Sequence, residues 1–140
     1  MTLILDTGPL LAFLDRRDRM QASVARLLRE EAGLLVIPAP ITAEVDYLST
    51  GRLGEVARQA FLDDLASGRF TVECLRPEEY VLVAQLERAY SDLAPGLADL
   101  SIVVLARRYE TRRVATFDAR HFRVLRPLDG GAFTLLPEES

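Results

Sequence analysis

Short apolar segments alternate with longer amphipathic segments along most of this 140-residue chain. Such short apolar segments are typical of strands that are buried on both faces, whereas the longer segments repeat their apolar residues at helical spacing. Strands that alternate with helices favour a sheet with mainly parallel strands, because each helix carries the chain back across the sheet. The alternation therefore predicts an α/β sandwich built around a mainly parallel sheet.

The predicted elements follow one another closely from the N-terminus. Strands are expected at residues 3–5, 34–37, 70–74, 114–117 and 132–135. Helices are expected from Pro9, from about residue 20 to Gly33, and at about 40–48, 53–66, 77–90 and 97–109. Pro38 is expected to stop the second strand, and Thr50-Gly51 to separate two helices. The last helix is nearly all apolar in its middle, so it must be largely buried.

Length and composition indicate one globular domain. A chain of 140 residues is long enough for one compact domain and short for two, so a single domain is expected over residues 1–140. Hydrophobic residues make up 49% and charged residues 27%, which excludes a disordered chain. The N-terminus lacks the features of a signal peptide, and no apolar stretch approaches the roughly 20 residues of a membrane helix.

The lone Cys74 bears on the cellular compartment. A single cysteine cannot form an internal disulfide, which fits a reducing environment, so a cytoplasmic location is expected. We expect Cys74 to act as a small buried apolar residue.

The charge pattern narrows the chemistry. The formal net charge is −4, which argues mildly against a general nucleic-acid binder, because such proteins usually carry a basic surface. Acids that are clustered to hold a metal, however, count as negative only while they are free. All 17 basic residues are arginine, which the codon usage of a GC-rich genome would explain. The absence of lysine excludes any mechanism that needs one.

Two aspartates occupy the same position relative to a strand. Asp6 and Asp118 each follow directly on an apolar strand. In open α/β sheets ligands bind at this edge, because the ends of strands and the starts of helices leave a crevice there. We therefore expect both carboxylates to lie at the carboxyl edge of the sheet.

Two further acids lie on helical stripes that are otherwise apolar. Glu44 shares its stripe with Ile41, Val45 and Leu48, so it occupies a position where a leucine would be expected. Asp99 begins a similar stripe at the N-terminal end of the most apolar helix. A carboxylate on a core-facing stripe is costly unless a partner compensates its charge.

Each acid also has a purely structural interpretation. Asp6 and Asp118 could cap the helices that follow them. Asp99 could be an acid favoured by the helix dipole, and Glu44 could pair with an arginine. These interpretations lose weight together, because all the acids would have to point to one edge of the sheet by coincidence. Several carboxylates in one cleft repel one another, and a hard divalent cation is the usual remedy, so Mg²⁺ is the expected cofactor, with Mn²⁺ as a substitute.

Four segments of the chain resemble the successive motifs of PIN-domain proteins. They are Leu5-Asp6-Thr7, Ala43-Glu44-Val45, Leu97-Ala98-Asp99 and Ala115-Thr116-Phe117-Asp118-Ala119-Arg120-His121-Phe122. The last segment is especially similar to the VapC-type toxins, and the resemblance runs in the family's order from Leu3 to about Leu125. It implies a PIN-like three-layer α/β/α sandwich with a mainly parallel central sheet.

The same resemblance implies a function. Toxins of this kind are metal-dependent ribonucleases, commonly homodimers, which a cognate antitoxin silences and which leave 5′-phosphate and 3′-hydroxyl ends. By resemblance, the metal-binding and catalytic residues are Asp6, Glu44, Asp99 and Asp118. Thr7 and Thr116 match polar positions beside the metal. We therefore expect a toxin that hydrolyses RNA phosphodiester bonds.

Several arginines are candidates for RNA contact. Arg120 and Arg123 follow the last acid, and Arg16, Arg17 and Arg19 form a second group. A guanidinium binds phosphate in a bidentate way, although a solvated surface position explains each arginine as well.

His121 is the only histidine in the chain. A single histidine leaves a histidine-based zinc site or a catalytic triad with little support. We expect it to pack with Phe122 near the site without binding metal.

Other aspartate-based families fit less well. Asp6-Thr7-Gly8 also matches the signature of retroviral-type aspartic proteases, but their fold is all-β and this chain is mostly helical. Receiver domains need a lysine near the site, and haloacid-type phosphatases usually carry a second aspartate where this chain has Gly8. Two alternatives stay open: a PIN-like module that binds RNA or protein without turnover, and a housekeeping RNA-processing nuclease.

Overall fold

A computed structural model describes residues 1–138, in which successive strands are separated by one or two helices. The strands are β1 (Leu3–Leu5), β2 (Leu35–Pro38), β3 (Thr71–Glu73), β4 (Arg113–Ala115) and β5 (Thr134–Leu136). The helices are α1 (Thr7–Leu14), α2 (Gln21–Glu30), α3 (Ala39–Arg52), α4 (Glu55–Ser67), α5 (Pro77–Ala89), α6 (Leu97–Arg108) and α7 (Ala119–Val124).

The strands form one sheet in the order β3-β2-β1-β4-β5, and every neighbouring pair is parallel. β1 is the central strand, and all its residues are buried because helices cover both faces of the sheet. This arrangement is a three-layer α/β/α sandwich, so the predicted fold class is confirmed. The sheet of the described residues is wholly rather than mainly parallel.

The winding of the sheet creates a crevice beside β1. The chain passes from β1 to β2 and β3 on one side, and it returns on the other side as β4. At such a reversal of strand order, the connections leave the carboxyl ends of the two strands in opposite directions and open a ligand site. The N–H of Asp6 donates to the carbonyl of Ala115 over 2.9 Å, so the ends of β1 and β4 are held together at this crevice.

Helix α6 anchors one wall of the crevice. Every residue from Leu100 to Ala106 is buried, and the helix packs against β1, β2 and β4. Full burial of each large aliphatic side chain contributes about 1.5–3 kcal/mol, so α6 is strongly held in place. Asp99 directly precedes these buried residues in the same helix, so its backbone is held in place with them.

Helix α3 is longer than predicted. It continues through Thr50 and Gly51 to Arg52, so the predicted break at Thr50-Gly51 was wrong. A glycine inside a helix costs only about 1 kcal/mol relative to alanine, and the Thr50 hydroxyl donates to the carbonyl of Asp46 over 3.0 Å within the helix. The chain turns instead at Gly54, where a φ of +88° favours glycine.

Smaller differences concern strand ends and Cys74. Pro38 is the last residue of β2 rather than the residue after it. β4 ends at Ala115, so Thr116 lies beyond the strand. Cys74 is exposed, and its predicted burial was wrong, because β3 is an edge strand and Cys74 lies just past its end.

Among the described residues, the helices are too short or too polar for any of them to cross a membrane.

Candidate metal centre

The predicted acids line one cleft at the carboxyl edge of the sheet. The cleft measures about 560 Å³ and lies where β1 and β4 end, beside α1, α3 and α6. The acids that line it are Asp6, Glu44, Asp99 and Asp118. Four segments that are far apart in the chain therefore contribute carboxylates to a single depression.

Asp6 is the most buried of these acids, with 8% of its surface exposed. Its Oδ1 accepts the N–H of Thr7 over 2.8 Å, and its Oδ2 accepts the hydroxyl of Thr116 over 2.7 Å. Burial raises the pKa of Asp6 to about 6, the two hydrogen bonds oppose this rise, and the charges of Asp99 and Glu44 add to it. The carboxylates therefore share one electrostatic environment.

Asp99 is partly buried in the first turn of α6. Burial raises the pKa of Asp99, the imidazole of His121 opposes the rise, and the charges of Asp118 and Glu44 add to it. An acid in a first helical turn also gains from the helix dipole. The helix dipole therefore favours an acid at this position, and the neighbouring carboxylates show that the same acid belongs to the cleft.

The capping interpretation holds for two acids that also line the cleft. Asp6 caps α1 through the N–H of Thr7, and Asp118 caps α7 through the N–H of His121 over 3.1 Å. Each cap uses Oδ1 only. Because a carboxylate has two oxygens with several acceptor sites, capping a helix does not prevent it from binding a cation.

Glu44 is exposed, so the expectation that it faces the core was wrong. Its neighbours Ile41 and Val45 are buried, while the Glu44 carboxylate reaches the open cleft and stays hydrated. The cost of burial that the helical stripe implied does not arise. Within the described part of the chain, no arginine lies in ion-pairing distance of Glu44.

The two predicted threonines lie beside the acids but differ in their hydrogen bonds. Thr116 donates to Asp6, and its oxygen accepts the N–H of Asp118 over 2.9 Å. Thr7 is 6% exposed, and its Oγ1 has no hydrogen-bond partner among residues 1–138. A buried polar group without a partner costs about 1–3 kcal/mol. An ordered water or a ligand oxygen in the cleft would satisfy it.

His121 lies directly against the acids, a contact that was not predicted from the sequence. Its Nδ1 is 2.8 Å from Oδ2 of Asp99 and 3.0 Å from Oδ2 of Asp118, and the three residues could hold a metal ion together. Phe122 is buried against Phe133, with ring centroids 5.9 Å apart. The three-residue spacing from Asp118 to His121 at a helix start could have indicated this contact.

The predicted RNA-contacting arginines lie outside the cleft lining. Arg120 and Arg123 are exposed on α7, the helix that Asp118 caps. Arg16 and Arg17 are exposed beyond the C-terminal end of α1. That helix begins at the cleft and is about 12 Å long, so this pair lies about one helix length away from the acids.

Arg52 is the arginine that lines the cleft. It is the last residue of α3 and is exposed. Arg52 was not predicted from the sequence, because the expected end of α3 near Leu48 placed it in a loop. A helix continued to Arg52 would have placed it on the same face as Glu44 and Leu48, because the three residues follow one another at intervals of four.

Comparison with known proteins gives matches over most of the chain. The PIN domain family matches residues 3–126. Ribonuclease VapC26 of Mycobacterium tuberculosis is 39% identical over 135 residues, which is 96% of this chain and 100% of that protein.

Two solved structures share the fold. Mycobacterium tuberculosis VapC20, a Sarcin-Ricin loop cleaving toxin, superimposes with a TM-score of 0.76 at 16% identity, over 84% of this chain and 90% of its own. VapBC2 from Rickettsia felis, bound to a DNA fragment from its promoter, superimposes with a TM-score of 0.71 at 17% identity. The match covers 96% of this chain and 98% of that chain. At such identities the likeness concerns the fold alone.

Proposed function

We propose, since this chain belongs to the PIN-domain family and to its VapC branch, that it is a metal-dependent ribonuclease and the toxin of a toxin–antitoxin pair. The observation that carries the proposal is the convergence of acids from four separate segments in a single cleft. Hydrolysis of a phosphodiester is the reaction that such a cleft supports best, because clustered carboxylates hold the cations that activate water against phosphate. The similarity to a ribonuclease over nearly the whole chain supports RNA as the substrate.

The residues of the cleft fit a hard divalent cation. Carboxylate oxygens are the ligands that Mg²⁺ and Mn²⁺ accept readily. The ligands would be Asp6, Glu44, Asp99 and Asp118. The buried hydroxyl of Thr7, which lacks a partner in the described residues, would bond to a water of the ion's hydration shell. We expect Mg²⁺ to be the ion in the cell and Mn²⁺ to replace it in vitro.

The residues around the acids orient them before any substrate is present. When bound, one or two cations would lower the pKa of the attacking water and offset charge on the phosphoryl oxygens. The N–H of Thr7 and the hydroxyl of Thr116 hold the two oxygens of Asp6, and in the metal-free chain Nδ1 of His121 hydrogen-bonds Asp99. Because these dipoles are preorganised, the cleft reorganises little during the reaction. In-line attack by water would leave 5′-phosphate and 3′-hydroxyl ends.

A nitrogen ligand is within reach of the same cation. Nδ1 of His121 lies 2.8 Å from Oδ2 of Asp99 and 3.0 Å from Oδ2 of Asp118, so these three side chains could hold one metal ion together. Imidazole suits transition metals better than it suits Mg²⁺. We therefore propose that Nδ1 of His121 would give up its hydrogen bond to Asp99 and join the ligand set when a cation binds, in place of the purely packing role expected from the sequence, and that it favours Mn²⁺.

The arginines would bind phosphates on either side of the one that is cut. Arg52 is closest to the acids, since it lines the cleft. Arg120 and Arg123 lie on the helix that starts at Asp118 and would meet phosphates just outside the cleft. A guanidinium binds phosphate through two parallel N–H donors, so each contact also fixes the direction of the strand.

A cognate antitoxin and a second copy of the chain are the proposed partners. The likeness to VapBC2, whose name joins a VapC chain to a VapB chain, supports the antitoxin. Tyr47 on α3 and Val56 on α4 are 80% and 87% exposed and are available for such contacts, whereas Phe61 is buried in the core. An RNA substrate and the free, exposed Cys74 fit action in the cytoplasm.

Cleavage of RNA by the purified protein tests the proposed activity. The wild type should cut structured RNA with Mg²⁺ or Mn²⁺, and excess EDTA should stop it. Asp99→Asn and Asp118→Asn should each lower the rate about 100-fold or more, because each removes a charge that organises the reaction. Asp92→Asn is the matched control, since Asp92 is an exposed acid in the turn before α6 and does not line the cleft.

Three results would contradict parts of this assignment. Cleavage that persists in EDTA, or in both variants, excludes a metal nuclease at these acids. A folded wild type that binds metal and RNA but cuts no RNA indicates a binding module. If expression of the wild type and of Asp6→Asn is equally harmless to the host, the toxin assignment fails and a housekeeping nuclease is indicated instead.

A further inference from the structure

Phe117 is an aromatic residue on the wall of the cleft that holds the acids. It lies between Thr116 and Asp118 in the chain, and 44% of its surface is exposed. A single exposed apolar side chain needs no functional explanation by itself. What distinguishes Phe117 is its place, directly beside the position proposed for a phosphate of the RNA.

The ring of Phe117 is backed by Gly8 in the first turn of α1. A Cβ atom placed on Gly8 would lie only 3.0 Å from Cδ2 of the ring, so the glycine allows the ring to lie close against the helix. An alanine at this position would require the ring to move by a few tenths of an ångström. Phe117 thus contacts α1 at Gly8 and still exposes 44% of its surface at the cleft, so its ring is accessible to a stacking base.

We propose that Phe117 stacks against one unpaired nucleobase next to the phosphate held at the acids and so positions the strand for cleavage. This inference rests on the ribonuclease function proposed above. The cleft of about 560 Å³ has room for a nucleotide, because clefts of about 300–1,000 Å³ accept ligands of comparable size. Arg52 on the same cleft offers positive charge to a neighbouring phosphate.

The geometry of RNA explains why the base must be unpaired. In an A-form duplex each base is stacked between its neighbours, so a side chain cannot reach its face. A base in a loop, bulge or single strand can turn out and lie on an aromatic ring. Every base offers a π-face, so Phe117 selects the unpaired state of the RNA and not the identity of the base.

Binding of RNA by the full chain tests this role. One probe is a labelled oligouridine of about twelve nucleotides, within the range of single-strand site sizes, and the other is a blunt RNA duplex of the same length. Fluorescence anisotropy is measured with Ca²⁺ in place of Mg²⁺, and the RNA is checked to be intact afterwards. A 2-aminopurine placed within the oligouridine reports stacking directly through the quenching of its fluorescence.

The variants separate stacking from general apolar contact. Phe117→Leu removes the π-face and keeps most of the apolar volume, whereas Phe117→Tyr keeps both. Tyr80→Leu is the matched control, because Tyr80 on α5 is 48% exposed and lies outside the cleft lining. Melting curves should be the same for all of them, since these side chains are exposed.

Phe117→Leu should weaken binding of the oligouridine about tenfold or more and abolish the quenching. Phe117→Tyr and Tyr80→Leu should bind as the wild type does, and affinity for the duplex should be low and insensitive to Phe117. Unchanged affinity of Phe117→Leu for the oligouridine overturns the proposal, as does an equal loss for both probes.

Cleavage with Mg²⁺ in the same preparation separates this inference from the proposed function. If the wild type cuts RNA and Phe117→Leu binds the oligouridine normally, only the stacking role is wrong. If the wild type neither cuts nor binds RNA, the ribonuclease assignment fails and the stacking role fails with it.

Discussion

The hydroxyl of Thr116 donates a hydrogen bond of 2.7 Å to Oδ2 of Asp6 and so connects the residues that follow β4 and β1. The same oxygen accepts the N–H of Asp118 over 2.9 Å. Thr116 thus links two acids of the cleft, and its hydrogen bond keeps the pKa of Asp6 below the value that burial would otherwise produce.

We expect Thr116→Val to raise the pKa of Asp6 further, above about 6, and to weaken binding of a divalent cation about tenfold, as loss of an outer partner of a metal ligand usually does. Valine keeps the shape of the side chain and removes the hydroxyl, which is both the donor to Asp6 and the acceptor of the Asp118 N–H. The pKa is measured by NMR titration of the Asp6 carboxyl carbon in EDTA, and the affinity by calorimetry. Thr134→Val, at an exposed position in β5, is the control. An unchanged pKa would mean that the hydrogen bond is not formed in solution.

Asp6 should make the metal-free protein less stable as the pH rises. Its pKa is about 6 in the folded chain against 3.8 as the ordinary value, so the folded state binds more protons between these values. The free energy of unfolding therefore falls as the pH rises from about 4 to above 6. At about 1.4 kcal/mol per pKa unit, the loss at neutral pH is about 3 kcal/mol.

Asp6→Asn removes this titration. In EDTA at neutral pH, the free energy of unfolding of the variant should therefore be about 1–3 kcal/mol higher than that of the wild type. The lower end of this range applies if the substitution also breaks a hydrogen bond of Asp6. Below about pH 4 the advantage should disappear, because Asp6 is then neutral in both states. Urea denaturation across this pH range measures the difference, with Asp92→Asn as a flat control. The expectation fails if the variant has no advantage at neutral pH.

The imidazole of His121 should set the preference between cations. We expect the wild type to bind Mn²⁺ more tightly than Mg²⁺, and His121→Ala to lose about tenfold or more of its affinity for Mn²⁺ with a smaller loss for Mg²⁺. Titration of free Mn²⁺ by electron paramagnetic resonance, with Mg²⁺ as competitor, measures both affinities. Pulsed electron paramagnetic resonance spectra of the Mn²⁺ complex should show hyperfine coupling to the imidazole nitrogen of His121 in the wild type and none in His121→Ala. Absence of that coupling in the wild type would mean that His121 does not bind the metal and only hydrogen-bonds Asp99.

Arg108 holds the end of α6 to α5 and β3. Its Nη1 lies 2.6 Å from Glu73, its Nη2 donates to the carbonyl of Cys74 over 2.8 Å, and it also pairs with Glu79, which is 9% exposed. The hydrogen bond from Arg108 lowers the pKa of Glu79, so this interaction stabilises the protein at neutral pH and is lost as the pH falls below the ordinary value of 4.5.

Arg108→Ala should destabilise the protein by about 3–5 kcal/mol at neutral pH, because it leaves a buried carboxylate without its partner. This loss of stability should be smaller at acidic pH, where Glu79 is protonated. Adding Glu79→Gln to Arg108→Ala should recover part of the lost stability, because glutamine carries no charge. Urea denaturation gives the values, and Arg107→Ala, at the exposed neighbouring position in α6, should have little effect. Equal losses for the two arginines would argue against the buried ion pair.

The order of strands and helices could be predicted because burial patterns are local. The apolar run at Leu3–Leu5 and the long apolar stretch of α6 reveal their elements without any knowledge of partners. The exact ends were less predictable. The choice between Gly51 and Gly54 as the end of α3 is coupled to contacts with α4, where Arg58 bonds Asp46 over 2.6 Å, and this bond forms only after the two helices have packed.

The sequence by itself determined the fold class and, through the family's motifs, which acids belong together. The tertiary structure alone decided that Glu44 is exposed, that His121 contacts Asp99, and that Arg52 rather than Arg16 reaches the cleft. Local patterns specify which face of an element is apolar. Distances between side chains that are far apart in the chain depend instead on how the helices pack across the sheet, and that packing is settled only when the whole core forms.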